Sequence, residues 1–561
     1  MTPRYILSII FLLHCASPAF SQLNTTGKYW IIFTDKPVAN LSLEKTILQN
    51  LPVRTIDRRQ KNNALEKTID HYDIPVNTHY TDYIKSLHIE IIAVSKWLNA
   101  VSAHLNAEQK NNVEKLPFVK LVKPVSRAQT NVLIKHGNKL AANGEMPFIL
   151  DYGSSYSQNA MINTPAVHQL GFSGSGVLIG MIDTGFNLDH IALRNVHVVD
   201  DSDFVERDKD VSENIEGKSG SSHGTYVLSA IAAYDPGKLI GTAFGASYLL
   251  ARTENDDGIG QKAEEDHWVS ALEWLEEKGA DIVSSSISFF DEFQNSSYNY
   301  SLVDLDGNTA MTTLATNIAF NKGVLVFNSA GNMGTRGAGY LGTPSDGKKM
   351  IAVGAIYGDS TATTFSSRGP TKDGRKKPDI AALGNNVKVV GNDTSHYDIL
   401  SGTSLSTPLA AGLAALALEA NPRWSSKQLY DAIKKTASTY SKPNNEIGFG
   451  IPNALKALNY DPSGSSNPLV KNILTYPNPT SGTTYISFQS LVTSTFTIKI
   501  YNAIGQFVIS VSENEPVSAN QIVTKNWNGK NFNGNEVSSG VYFYRISLGG
   551  KSTAEKILIV K

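Results

Sequence analysis

The stretch Gly402-Thr403-Ser404 opens onto an apolar run of small residues from Leu409 to Ala420, and this pairing constrains the chain more than any other feature. A helix that is apolar all round lies inside a molecule, so the stretch reads as a turn delivering a serine to the start of a buried helix. Gly402 lets another chain come close, Thr403 and Ser404 are good helix caps, and the early Pro408 is read as lacking only an N–H that would have had no partner. A hydroxyl placed there sits among free backbone N–H groups at the positive end of the helix dipole, a place that suits an oxyanion. Taken alone, Gly-Thr-Ser before a helix is an N-cap and nothing more.

Three upstream motifs change that reading. In chain order they are Asp183-Thr184-Gly185, His223-Gly224-Thr225 and Gly331-Asn332. Each by itself is an ordinary turn or loop, but together they supply an acid, a base, an amide and a hydroxyl in the order Asp, His, Ser known for subtilisin. On these motifs, residues 163 to about 460 resemble a subtilisin-like serine protease. Serine is a weak nucleophile at neutral pH and needs a base. The resemblance makes Ser404 the nucleophile, His223 the general base, and Asp183 the group that holds the imidazole tautomer. The side-chain amide of Asn332 and the backbone N–H of Ser404 would donate to the oxyanion. It also gives Ser286-Ile287-Ser288 and Ala330-Gly331 as the walls of the substrate pocket.

At 561 residues the chain is long enough for three or four cores of about 150 residues each. A formal net charge of −1 gives no electrostatic reason to expect nucleic acid or an anionic membrane as partner. Charged residues make up 18%, below the usual quarter or so, which fits an exported protein. Met1 to Ser21 fits export too. Arg4 precedes an apolar run from Tyr5 to Leu13, and Ala19-Phe20-Ser21 is a small-x-small signal-peptide cleavage site. The only cysteine, Cys15, falls within that segment, so the mature chain is expected to have no disulfide.

The fold class expected is α/β, a subtilisin-like mostly parallel sheet with helices on both faces, preceded by a ferredoxin-like α+β prodomain and followed by a small β-sandwich. The divisions read as signal peptide 1–21, propeptide 22–125, linker with the maturation site 126–156, protease domain 157–460, linker 461–468 and sandwich 469–561. In the propeptide, Tyr29 to Phe33, Leu87 to Val94, Trp97 to Leu105 and Phe118 to Val122 read as strands, with a helix from Ala107 to Leu116. The stretch Asn99 to Leu105, with Glu108-Gln109 and Val119, resembles the inhibitory propeptide of such proteases, which would keep the site blocked until cleavage. Val177 to Ile182 and Val324 to Phe327 are near-continuous apolar runs, as in strands buried on both sides. Beyond the second linker, Tyr485 to Phe488, Phe496 to Tyr501, Val541 to Ile546 and Lys556 to Val560 alternate apolar and polar residues. There, Tyr476-Pro477-Asn478-Pro479, Ser539 to Tyr544 and Lys556 to Lys561 resemble the carboxyl-terminal sorting domain of the type IX secretion route.

The chain departs from the family pattern at Leu405, where methionine is frequent, at Leu383-Gly384, where Pro-Gly is usual, and at Ser288, where glycine is usual. Asp200, Asp201, Asp203, Glu206, Asp208 and Asp210 crowd one loop without a calcium-ligand spacing, and His267 near Glu264 and Glu265 lacks a zinc pattern. No cofactor is expected, and structural calcium, which many family members bind, has no assigned place. Expected partners are protein or peptide substrates and the type IX machinery, with the protein a monomer, secreted or on the cell surface. Two other readings stay open. One is an acid-active sedolisin, which uses Glu where this chain has His223, and the other is a non-catalytic surface adhesin on a protease scaffold.

Overall fold

The computed structural model describes residues 26–62, 68–128, 150–212, 222–254, 263–290, 299–391, 393–462, 469–503 and 505–561. The signal segment 1–21 and most of both linkers, with any maturation bond in 129–149, lie outside the described residues.

The amino-terminal unit runs β1 (Gly27–Phe33), α1 (Leu41–Asn50), α2 (Val53–Lys61), α3 (Thr78–Ser86), β2 (Ile91–Ser95), β3 (Ala100–Leu105), α4 (Ala107–Glu114) and β4 (Val119–Pro124). Its strands pair antiparallel in the order β2-β3-β1-β4, a ferredoxin-like arrangement. The second strand begins later than the sequence predicts. Asn77 caps α3 by accepting from His79 N at 3.1 Å, and the helix runs to Ser86, so Leu87 closes a helix and opens no strand. Helix α1 buries none of its residues. The linker is also more regular at its start than its composition implies, since β5 (Arg127–Ala128) pairs antiparallel with β11 (Ala263–Glu264).

The central unit continues with α5 (Tyr156–Met161), α6 (Thr164–His168), β6 (Leu178–Asp183), β7 (His197–Asp203), α7 (Ser222–Ala232), the hairpin β8 (Tyr234–Asp235) and β9 (Leu239–Ile240), and β10 (Ser247–Arg252). After β11 come α8 (Glu265–Glu277), β12 (Ile282–Ser285), α9 (Met311–Asn321), β13 (Leu325–Ser329), β14 (Ile351–Ile356) and β15 (Ile380–Leu383). It closes with the hairpin β16 (Val387–Val390) and β17 (Tyr397–Leu400), then α10 (Thr403–Ala420), α11 (Ser426–Lys435) and α12 (Ala454–Leu458). Seven strands form one parallel sheet in the order β15-β14-β13-β12-β6-β10-β7. Every residue of β6, β13 and β14 is buried, as their unbroken apolar character requires when helices cover both faces. One face packs on α7, α10, α11 and α12. The other packs on α8 and α9, and Trp30 and Trp97 of the amino-terminal unit join that layer.

The carboxyl-terminal unit is a sandwich of two antiparallel sheets, β18 (Val470–Tyr476), β19 (Thr484–Ser490) and β22 (Ile522–Trp527) against β21 (Phe507–Val517), β20 (Ser494–Asn502), β23 (Gly540–Leu548) and β24 (Lys551–Ile559). Phe488, Phe496, Ile498 and Tyr544 fill its core. The sandwich also rests on the central unit. Ala554 enters the core around α10, the Arg545 guanidinium lies 4.2 Å from the Phe172 ring centre, and Lys551 Nζ is 2.6 Å from Asp461. Glu419, at the far end of α10, accepts from the N–H groups of Ser173, Gly174 and Ser175 and lies 3.7 Å from Arg545.

Candidate active site

Strand order reverses around β6, which has β10 on one side and β12 on the other. Crevices beyond the carboxyl ends of strands at such points are where α/β sheets collect functional groups. Asp183 is the last residue of β6, and His223 lies in the first turn of α7. The two turns meet backbone to backbone. A Cβ on Gly224 would fall 2.1 Å from Gly185 O and 3.0 Å from Asp183 Cβ, so only glycine lets α7 begin there. That approach places His223 Nδ1 2.6 Å from Asp183 Oδ1, with the carboxylate also accepting from Thr184 N at 2.9 Å. Asp183 is 0% and His223 3% exposed. With Nδ1–H donating to the carboxylate, Nε2 is the nitrogen with a lone pair to accept a proton.

Helix α10 starts differently from the sequence expectation. Its N-cap is Gly402, which has no side chain to cap with, and Thr403 and Ser404 are the first two helical residues. The Thr403 side chain points elsewhere. Thr403 N and Oγ1 donate to Asn332 Oδ1 at 3.0 and 2.9 Å, which fixes the amide and turns its Nδ2 toward Gly402. A Cβ on Gly402 would lie 3.8 Å from both Asn332 Nδ2 and Ser404 N. Its φ of 165° is ordinary extended backbone, and a Cβ there would make only ordinary contacts within the chain. The N–H of Ser404 sits in the first helical turn, where no carbonyl four residues back exists to take it. Two donors thus face one small space at the positive end of a helix 18 residues long.

Pro408 is the sixth residue of this helix, so the sequence reading of its missing N–H as harmless is wrong. An N–H there would have bonded to Ser404 O. Ser286 Oγ donates to that carbonyl at 2.9 Å and takes its place.

Ser286, Ile287 and Ser288 follow β12, and Ala330 and Gly331 follow β13, so the two proposed walls leave neighbouring strands side by side. A third segment joins them. Phe289 and Thr343 exchange backbone hydrogen bonds, Gly342 N donates to Ala330 O at 3.1 Å, and a Cβ on Gly342 would meet Ser288 Cβ at 2.3 Å. The Ser288 hydroxyl donates to Ser329 O at 3.2 Å, so it is satisfied and adds only bulk to this space. Thr403 as the holder of the Asn332 amide and Gly342 as the residue facing Ser288 were not legible in the sequence. In the sequence Thr403 shows only the character of a cap, and Gly342 lies in a loop with no motif around it.

Asp200 is held by Lys209 and Lys278 and Asp203 by Arg252, and no group of three or more metal-ligating side chains occurs among the described residues. His267 Nε2 lies 3.4 Å from Lys28 Nζ.

The amino-terminal unit covers α8 through carboxylates of that helix. Glu265 accepts from Ser126 N, Asp266 pairs with Lys28 at 2.9 Å, and Glu273 accepts from Ser95 Oγ and Trp97 N. Burial raises Glu273 from the ordinary 4.5 to about 7, against the pull of Ser95 and Lys96, and burial likewise raises Glu265 to about 7. Release of the unit would hydrate Glu273 and return it toward its ordinary value. A carboxyl whose pKa is higher in the bound state weakens binding as pH climbs above the free value, with the full cost reached above about 7. The amino-terminal unit should therefore hold about tenfold less tightly at pH 8 than at pH 5.5. The fraction co-eluting with the cleaved protein checks this, and Glu273→Gln should flatten the dependence.

Comparison with known proteins gives three family matches along the chain. Residues 174–450 match a family model described as the subtilase family, residues 28–139 match a Peptidase S8 propeptide domain of Bacteroidota, and residues 474–561 match a secretion system C-terminal sorting domain. Subtilisin from Bacillus pumilus is 30% identical over 301 residues, 53% of this chain and 96% of that protein. Subtilisin E from Bacillus subtilis is 29% identical over 365 residues, 64% of this chain and 81% of that one. The crystal structure of fervidolysin from Fervidobacterium pennivorans, a keratinolytic enzyme related to subtilisin, superposes with a TM-score of 0.56 at 18% identity, covering 96% of this chain and 76% of that one.

Proposed function

Because the chain belongs to the subtilase family and is a serine endopeptidase carrying a propeptide and an export signal at its carboxyl end, we propose that it cuts peptide bonds with Ser404, His223 and Asp183. The observation that carries this reading is the 2.6 Å bond from His223 to Asp183, at the same strand ends as two convergent donors beside Ser404. His223 takes the Ser404 proton as the hydroxyl attacks the carbonyl carbon and returns it to the leaving amine. Asp183 keeps the ring in the tautomer with Nδ1–H and stabilises the imidazolium. Asn332 Nδ2 and Ser404 N donate to the carbonyl oxygen as it gains charge, which favours the transition state over the bound substrate. Thr403 is a positioning residue for that amide.

The propeptide, proposed to span 22–125, would be separated by cleavage in the 126–156 segment. Carriage across the outer membrane would use the sorting domain, proposed to span 469–561. A fluorophosphonate probe should label the mature protein at Ser404 alone, and should do so at neutral pH. An unlabelled, folded protein would leave the adhesin reading standing, and labelling maximal in acid would favour the sedolisin reading.

Ser288 narrows the pocket through its Cβ, facing Gly342. Wild-type enzyme is expected to prefer Ala or Leu over Phe before the scissile bond, with Ser288→Gly relaxing the preference by about tenfold, the effect of one small group in such a pocket. Measured kcat/KM on matched peptides decides this, and a wild-type preference for Phe of that size would remove Ser288 from the wall.

A further inference from the structure

The far ends of α8 and α9, at the opposite end of these helices from the crevice, carry a separate set of contacts with the amino-terminal unit. The last carbonyls of a helix have no partner within it, and here side chains of α2 and its end supply the donors. Thr55 Oγ1 donates to Glu277 O at 2.8 Å, and Arg58 donates to Glu276 O, Ala280 O and Lys322 O at 3.0, 2.7 and 3.2 Å. Asn62 Nδ2 reaches Phe320 O and Asn321 O at 3.2 and 2.6 Å. Within this set lies a buried ion network. Glu276 is gripped by Arg58 and by both Arg59 Nε and Nη2, at 2.8 and 2.7 Å for the latter. Asp73 takes Arg59 at 3.0 Å and Lys322 at 2.8 Å, and Asp70 takes Lys322 at 3.0 Å. The protease side contributes one anion and one cation, and the amino-terminal unit answers each with two groups of opposite sign.

We propose that α2 together with Asn62, Asp70 and Asp73 forms a second anchor for the propeptide, one that binds the carboxyl ends of α8 and α9 without reference to the active-site crevice. The propeptide then stays attached after the chain is cut within 129–149, and release requires this anchor to open. The β5–β11 pairing near the cut joins only two residues on each side, whereas the anchor buries Glu276, Arg59 and Lys322 completely. Buried charges are tolerated only while paired, so removing one partner costs far more than the pair itself contributes. The proposal rests on the reading of this unit as a propeptide freed by cleavage.

The test uses the full chain with Ser404→Ala and a recognition sequence for a site-specific protease placed within 129–149. After cutting, fragment release is followed by size-exclusion chromatography. The parent fragment should remain bound. Arg58→Met should speed release by about tenfold or more, and the isosteric Thr55→Val by about threefold. If Arg58→Met does not fold, Thr55→Val and the charge-pair deletion Arg59→Gln with Glu276→Gln decide the matter. Immediate loss of the parent fragment on cutting, or release of the variants at the parent rate, overturns the proposal. A chain with Ser404 intact that fails to cut itself counts against the proposed catalysis and leaves this readout unaffected.

Discussion

Ser404→Ala is expected to lower kcat by about 10⁶-fold, the loss established for the same removal in subtilisin, with a residual rate above that in water from the oxyanion donors and substrate binding. The structure explains why so small a change reaches so far. The helix start does not depend on the Ser404 side chain, since its cap is Gly402 and its nearby carbonyl is held by Ser286. Alanine therefore fits without disturbing Asn332, Thr403 or the Asp183–His223 pair. Thermal stability should be unchanged while the precursor keeps its segment from Gln22 to about Val125, if maturation is autocatalytic. Normal processing of purified Ser404→Ala protein, with no other protease present, would remove the autocatalytic step from the mechanism.

Asp183→Asn is expected to cost about 10⁴-fold in kcat while leaving KM within a few-fold, as removal of this acid does in other triads. An amide at this position can offer an N–H to His223 Nδ1. The ring then carries its proton on Nε2, where it cannot take one from serine. Oδ1 of Asp183 is also the oxygen that accepts from Thr184 N, so an amide nitrogen turned toward His223 Nδ1 gives up that turn bond. The loss should therefore appear mainly in kcat, with a fall in stability of about 1 kcal/mol from the turn bond given up. A variant within tenfold of wild type at neutral pH would mean that His223 is oriented by something other than this carboxylate.

The parts of this molecule that were legible in the sequence are those where one chemistry leaves a periodic or ordered trace. Buried strands such as β6 and β13 appear as unbroken apolar runs, and the four functional motifs appear in chain order. What was hidden depends on three-dimensional partners. Thr403 looks like a cap until Asn332, 71 residues away, is seen accepting from it. Pro408 looks like a first-turn proline until the helix start is fixed at Thr403, and then Ser286 becomes its necessary companion. β21 and β22 escaped because Ser, Asn, Glu and Lys interrupt their apolar alternation, and the pairing β20–β21 also shifts register through bulges. The linker 461–468 says nothing by composition about whether the sandwich touches the central unit. Arg545, Phe172 and Glu419 show that it does.

The burial of α10 bears on how the enzyme survives its own company. In a solution of proteases every segment of backbone that opens is food for a neighbour, and segments open at a free energy set by what they bury. Every residue of α10 except Glu419 is buried, so its amides exchange with solvent only when the whole domain unfolds. Helix α1 buries nothing and opens at almost no cost. Autolysis in mixed populations is therefore expected to begin in α1, within the propeptide domain, and to leave the backbone around Ser404 protected by global stability.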